Sequence, residues 1–79
     1  MNSTVTIRPG IEADRQRLRR LAALDSANVP RSPTLVAELD GRLLAAISQF
    51  DGRAVADPFQ RTGDLVALLR ARRRQLSWE

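Results

Sequence analysis

The apolar residues of this chain change period along its length, and each period predicts an element. Val5 and Ile7 alternate with Thr4, Thr6 and Arg8, a two-residue repeat rich in β-branched side chains, and Pro9 and Gly10 close the run. A short strand is expected there. From Glu12 the spacing is helical: Ile11, Leu18, Leu21, Ala22 and, at the margin, Leu24 share a face, whereas Arg15, Gln16, Arg19, Arg20 and Ala23 lie largely outside its centre. Glu12 and Asp14 occupy the first turn, where the helix dipole favours acid, and the helix is expected to end around Asp25 to Asn28. Pro30, Arg31, Ser32 and Pro33 then make a polar linker that cannot continue a helix.

Three apolar runs follow, Leu35 to Leu39, Leu43 to Phe50 and Arg53 to Asp57, separated by Asp40-Gly41 and Asp51-Gly52. Asp-Gly between apolar runs is a strong hairpin signal, because a type I′ turn needs positive φ at both central residues. Two such turns in succession predict a three-stranded antiparallel meander. In its middle strand Leu43, Ala45 and Ile47 lie on one face and Leu44, Ala46 and Phe50 on the other, so both faces should be covered. The first helix is one cover. The second is the segment from Asp64 to about Leu76, where Leu65, Leu69 and Leu76 cluster with Val66 and Leu68 beside them. Arg72 falls inside that apolar sector with Arg73 next to it, and its stem is expected to lie along the surface while Arg70 and Arg74 point away. Strand, helix, three strands and helix define one α/β (α+β) domain over residues 1–79, a four-stranded, mainly antiparallel sheet with helices packed on it.

Composition narrows the chemistry. At 79 residues a fold buries roughly 60–65% of the surface its unfolded chain exposes, so association with a partner would add needed stability. The chain has no Cys and no His, which excludes disulfides, cysteine-bearing metal sites and Ser-His-Asp catalysis. All 13 basic residues are Arg, against 9 acidic residues. With abundant Ala, Leu, Val and Asp, this reads as the composition of a GC-rich bacterial genome, and the charge as solvated surface. No apolar run approaches the ~18–20 residues of a membrane span. Met1 to Thr6 lack the layout of a secretion signal, which points to a cytoplasmic protein.

Several local features carry a resemblance. Ile7-Arg8-Pro9 followed by Glu12-Ala13-Asp14, Leu35-Val36-Ala37-Glu38 leading into Asp40-Gly41-Arg42, and Asp57-Pro58 before the last helix together resemble the N-terminal half of the GNAT superfamily of N-acetyltransferases. The resemblance runs from Thr4 to Leu76 and implies a half-GNAT-like fold truncated after the family's third helix. The missing strands would form the other wall of the acetyl-CoA cleft and supply its proton-handling Tyr or carboxylate. In that family a Q/R-x-x-G-x-G/A loop holds the coenzyme A pyrophosphate on backbone amides at a helix N-terminus. Here Gln60, Arg61, Thr62, Gly63, Asp64 and Leu65 keep the first two fixed positions and place Leu65 where Gly or Ala belongs. Asp64 either caps its own helix or opposes a bound diphosphate, a repulsion of about one to a few kcal/mol.

The resemblance therefore implies a degenerate acetyl-CoA loop in which Gln60, Arg61 and Gly63 are the candidate cofactor-binding residues. No catalytic residue is expected: Glu38 reads as an outward-facing strand residue and Asp57 as a turn former. The expected function is that of a small GNAT-like module without acetyltransferase activity of its own. It would act by self-association or through a protein partner at the edge strand, residues 53–57. The alternative is an acetyl-CoA-binding N-acetyltransferase-like protein completed by dimerisation. A further alternative is binding of anionic surfaces through Arg70, Arg72, Arg73 and Arg74. Because that run lacks interleaved aromatics apart from Trp78, nucleic acid is not the expected partner. Trp78 itself is expected to pack partly on the small core.

Overall fold

The computed structural model of the chain describes residues 4–77. The elements are β1 (Val5–Pro9), a 3-10 turn (Glu12–Asp14), α1 (Arg15–Leu24), β2 (Thr34–Leu39), β3 (Arg42–Ser48), β4 (Ala54–Ala56) and α2 (Gly63–Ser77). The strands form one sheet in the order β1-β2-β3-β4 with every neighbouring pair antiparallel. This is the α+β class that the periods predict.

Local chemistry sets the boundaries. At the end of α1, Ser26 adopts a φ of 51°, the Ala27 N–H returns to the Ala22 carbonyl at 2.9 Å and the Ser26 N–H to Ala23 at 3.2 Å. That Schellman closure stops the helix and leaves the Asp25 side chain free to reach elsewhere. The β2–β3 turn has φ of 51° at Asp40 and 82° at Gly41, the doubly positive pair a tight hairpin needs.

The second hairpin departs from expectation. β3 ends at Ser48, whose Oγ accepts the N–H groups of Phe50 (3.1 Å) and Asp51 (3.3 Å), and only Gly52 has positive φ, 77°. A wider loop over residues 49–52 results. It carries Phe50 out of the sheet to 62% exposure, where the Arg31 guanidinium lies 4.6 Å from its ring centroid.

Strict alternation also fails once inside β3. Ala37 pairs with Ala45 but Glu38 pairs with Leu43, so Leu44 is an extra residue on β3. This bulge reverses the parity. Leu44 joins Ala45 and Ile47 on one side of the sheet, whereas Leu43 joins Ala46 on the other.

Both faces are covered, as the two-sided apolar pattern of β3 requires. Leu18, Leu21 and Ala22 of α1 pack on Val36, Ala46 and Val55; Leu65 and Leu69 of α2 pack on Leu35, Ala37, Ala45 and Ile47. Leu76, expected beside them, is 38% exposed. The residue within the apolar sector is Arg73 rather than Arg72. Arg72 is exposed, whereas half-buried Arg73 donates from Nε to the Gln49 carbonyl at 3.3 Å. Arg70, expected to point away, instead donates from Nη1 to the Gly52 carbonyl at 3.2 Å. The expected packing of Trp78 lies outside the described residues.

Candidate functional site

The loop that the resemblance singles out does lead into a helix N-terminus, since α2 begins at Gly63. Gln60, Arg61 and Gly63 are all exposed, and nothing lies within 4 Å of a Cβ built on Gly63. The structure places them close along the chain; the clefts described below are lined by other residues. Leu65 spends its bulk in the core, at 6% exposure, and so does not plug the loop. Asp57 is buried, with Oδ1 accepting the Phe59 N–H at 2.8 Å, the bond of an Asx turn.

Glu38 is not the outward-facing residue that the strand pattern suggested. It belongs to an ion cluster that ties β1, β2 and α1 together. Arg8 on β1 donates from Nε to Glu38 Oε1 at 2.7 Å and, through a bidentate fork, to Asp14 Oδ2 at 2.8 Å and Oδ1 at 2.9 Å. Asp14 has no exposed surface. It also accepts the Ile11 N–H at 2.9 Å and Arg17 Nη2 at 2.5 Å. The Arg8 hydrogen bonds hold the Asp14 carboxyl well below the usual carboxylate range, against the opposing effect of burial. The same bonds push the Arg8 guanidinium above its ordinary value. Sequence reading assigned Asp14 only to a helix dipole. The signal passed over is an opposite charge on each side of Pro9-Gly10, a turn that brings the entrance of α1 beside β1.

The outer edge of β4 is the other functional candidate. Ser48 N–H bonds the Arg53 carbonyl at 2.8 Å and Asp57 N–H bonds the Leu44 carbonyl at 2.9 Å, so odd-numbered residues face β3 and the backbone of Ala54 and Ala56 faces outward. The Ala56 N–H does not stay open: Asp25 Oδ2, released by the end of α1, accepts it at 3.1 Å. Beside the edge runs a groove of about 490 Å³ with Val29, Ala54 and Val55 in its wall and Arg31, Asp51 and Arg53 at its rim. β4 itself spans Ala54–Ala56, shorter than the stretch 53–57 read from the sequence, although Arg53 and Asp57 at its two ends still bond β3 through their backbone.

The Arg run of α2 is divided. Arg70 and Arg73 fasten the β3–β4 loop; Arg70, Arg72 and Arg74 are exposed and Arg73 is half-buried. Among the described residues no helix is long and apolar enough to cross a membrane, and no cluster of acidic side chains could hold a metal ion. Fold and surface together define a small two-helix, four-strand α+β domain with a grooved sheet edge. Comparison with protein-family models, with curated proteins and with solved structures yields no match.

Proposed function

We propose that the chain is a GNAT-like module of the cytoplasm that acts through protein contact rather than as a free-standing acetyltransferase, and that its partner is a second copy paired along β4. The observation that carries this reading is the outward-facing backbone of Ala54 and Ala56 beside an open groove. In a two-fold antiparallel pair centred on Val55, Ala54 of one copy meets Ala56 of the other. Pairing exchanges the Asp25 bond to the Ala56 N–H for an interstrand bond. Asp25 therefore sets how readily the edge opens.

Light scattering across a concentration series tests the reading. A dimer at high micromolar concentration is expected, lost in Ala54→Pro, which removes an outward N–H without touching the ladder to β3. A strictly monomeric wild-type chain overturns it. Acetyl-CoA binding by such a dimer is the second reading, supported by the unobstructed space over Gly63 at the first turn of α2. Calorimetric titration with acetyl-CoA decides it, since millimolar or absent affinity removes coenzyme binding while leaving the pairing intact.

A further inference from the structure

On the side of the sheet covered by α1, where β3 begins and β4 ends, lies a half-open cleft of about 290 Å³ between the helix and the start of β3. Its wall combines Arg17, Arg20 and Leu21 of α1, Arg42 and Leu43 of β3, and Asp57 just past β4. Residues three and four apart share a helix face, so Arg17, Arg20 and Leu21 turn toward the cleft together. Leu21 is buried at 2% exposure, and half-buried Leu43 packs on the same apolar cluster. Above the buried Leu21, half-buried Leu43 and exposed Leu24 supply the apolar part of the wall.

Its charges are unequal in availability. Arg17 is engaged by Asp14. Arg20 and Arg42 are exposed and make no ion pair or hydrogen bond among the described residues. Asp57 has one oxygen committed to the Phe59 N–H. Two available guanidinium groups against one carboxylate leave a single positive charge to be met.

We infer that this cleft binds a small organic monoanion, a carboxylate on an apolar body. A guanidinium fork matches a carboxylate in two parallel hydrogen bonds, and the leucine wall gives the apolar part a place out of water. Asp57 repels a second negative charge, which disfavours phosphate dianions.

The probes are octanoate, octanol and inorganic phosphate, titrated into the full chain while backbone amide resonances are followed. Octanoate is expected to shift the amides of Leu21 and Leu43 saturably, with octanol and phosphate at least about tenfold weaker. Arg20→Gln and Arg42→Gln should each weaken octanoate by about tenfold, the loss of a charge-assisted hydrogen bond, with melting temperature unchanged because both side chains are exposed. Octanol or phosphate binding as tightly as octanoate, octanoate binding unaffected by both substitutions, or no saturable shift overturns the proposal. Repeating the titration on Ala54→Pro separates this site from pairing at β4.

Discussion

The two faces of the sheet are sealed by different forces. On the α2 side the seal is hydrocarbon: Leu65 and Leu69 lie on Leu35, Ala37 and Ile47, with Arg70 and Arg73 making polar contacts at the loop beyond. On the α1 side a comparable apolar patch is supplemented by the Arg8–Asp14–Glu38 cluster at the helix entrance. Apolar packing is indifferent to pH and tolerant of substitutions that keep shape. A buried carboxylate is neither, because its energy depends on every partner staying in place. One domain of this size thus carries a robust face and a conditional one.

The comparison breaks most sharply at Asp14. Asp14→Ala removes a buried carboxylate that accepts from Arg8, Arg17 and the Ile11 N–H, while half-buried Arg8 keeps Glu38, and denaturant unfolding should show a loss of about 2–4 kcal/mol. Leu69→Ala, the matching deletion on the other face at a residue with 0% exposure, should cost about 2–5 kcal/mol. The amplitudes overlap, so acid separates the mechanisms. The folded-state pKa of Asp14 is depressed; its contribution is complete above its unfolded value of about 3.9 and is lost as pH falls through the folded value. Urea titrations at successively lower pH should therefore show the wild type and Leu69→Ala losing stability with a common slope, and Asp14→Ala a shallower one. An equal slope in all three proteins would remove the electrostatic account of the α1 face. Hydrogen exchange under the same conditions should show α1 opening before α2. The smallest effect is expected from Arg73→Ala, where removing a half-buried side chain that bonds the Gln49 carbonyl should cost about 1 kcal/mol and leave the acid response unchanged.

Much of the fold was legible in the chain because periodicity and turn chemistry are local. Two-residue alternation located β1 and β2, the helical spacing of Leu18, Leu21 and Ala22 identified the buried face of α1, and Asp40-Gly41 closed a hairpin as its residue types require. Of three departures, one is a local side-chain capture two and three residues away that overrides the alternation, and two depend on partners beyond the reach of a local pattern. Ser48 Oγ captured two amides and expelled Phe50 from the strand. The Leu44 bulge reversed which leucine meets which helix. Arg73, rather than Arg72, found the β3–β4 loop at the end of the sheet.

The candidate sites were less legible for the same reason. Gln60, Arg61 and Gly63 follow from a motif that is contiguous in sequence, and the structure leaves them adjacent and open. Asp25 could not be read as a guard of the β4 edge, since its acceptor oxygen and the Ala56 N–H are 31 residues apart. Nor could Arg20 and Arg42 be read as two sides of one cleft.

By itself the amino-acid order decided the element types, the two-sided core and the absence of cysteine and histidine chemistry, because each of these depends on spacing or composition alone. Tertiary structure decided which charges became buried partners and which stayed available, because Arg8, Asp14 and Glu38 acquire their energies only when water is excluded between them. The same step left Arg20 and Arg42 facing solvent beside a leucine wall, where a guanidinium keeps its hydration until a ligand replaces it.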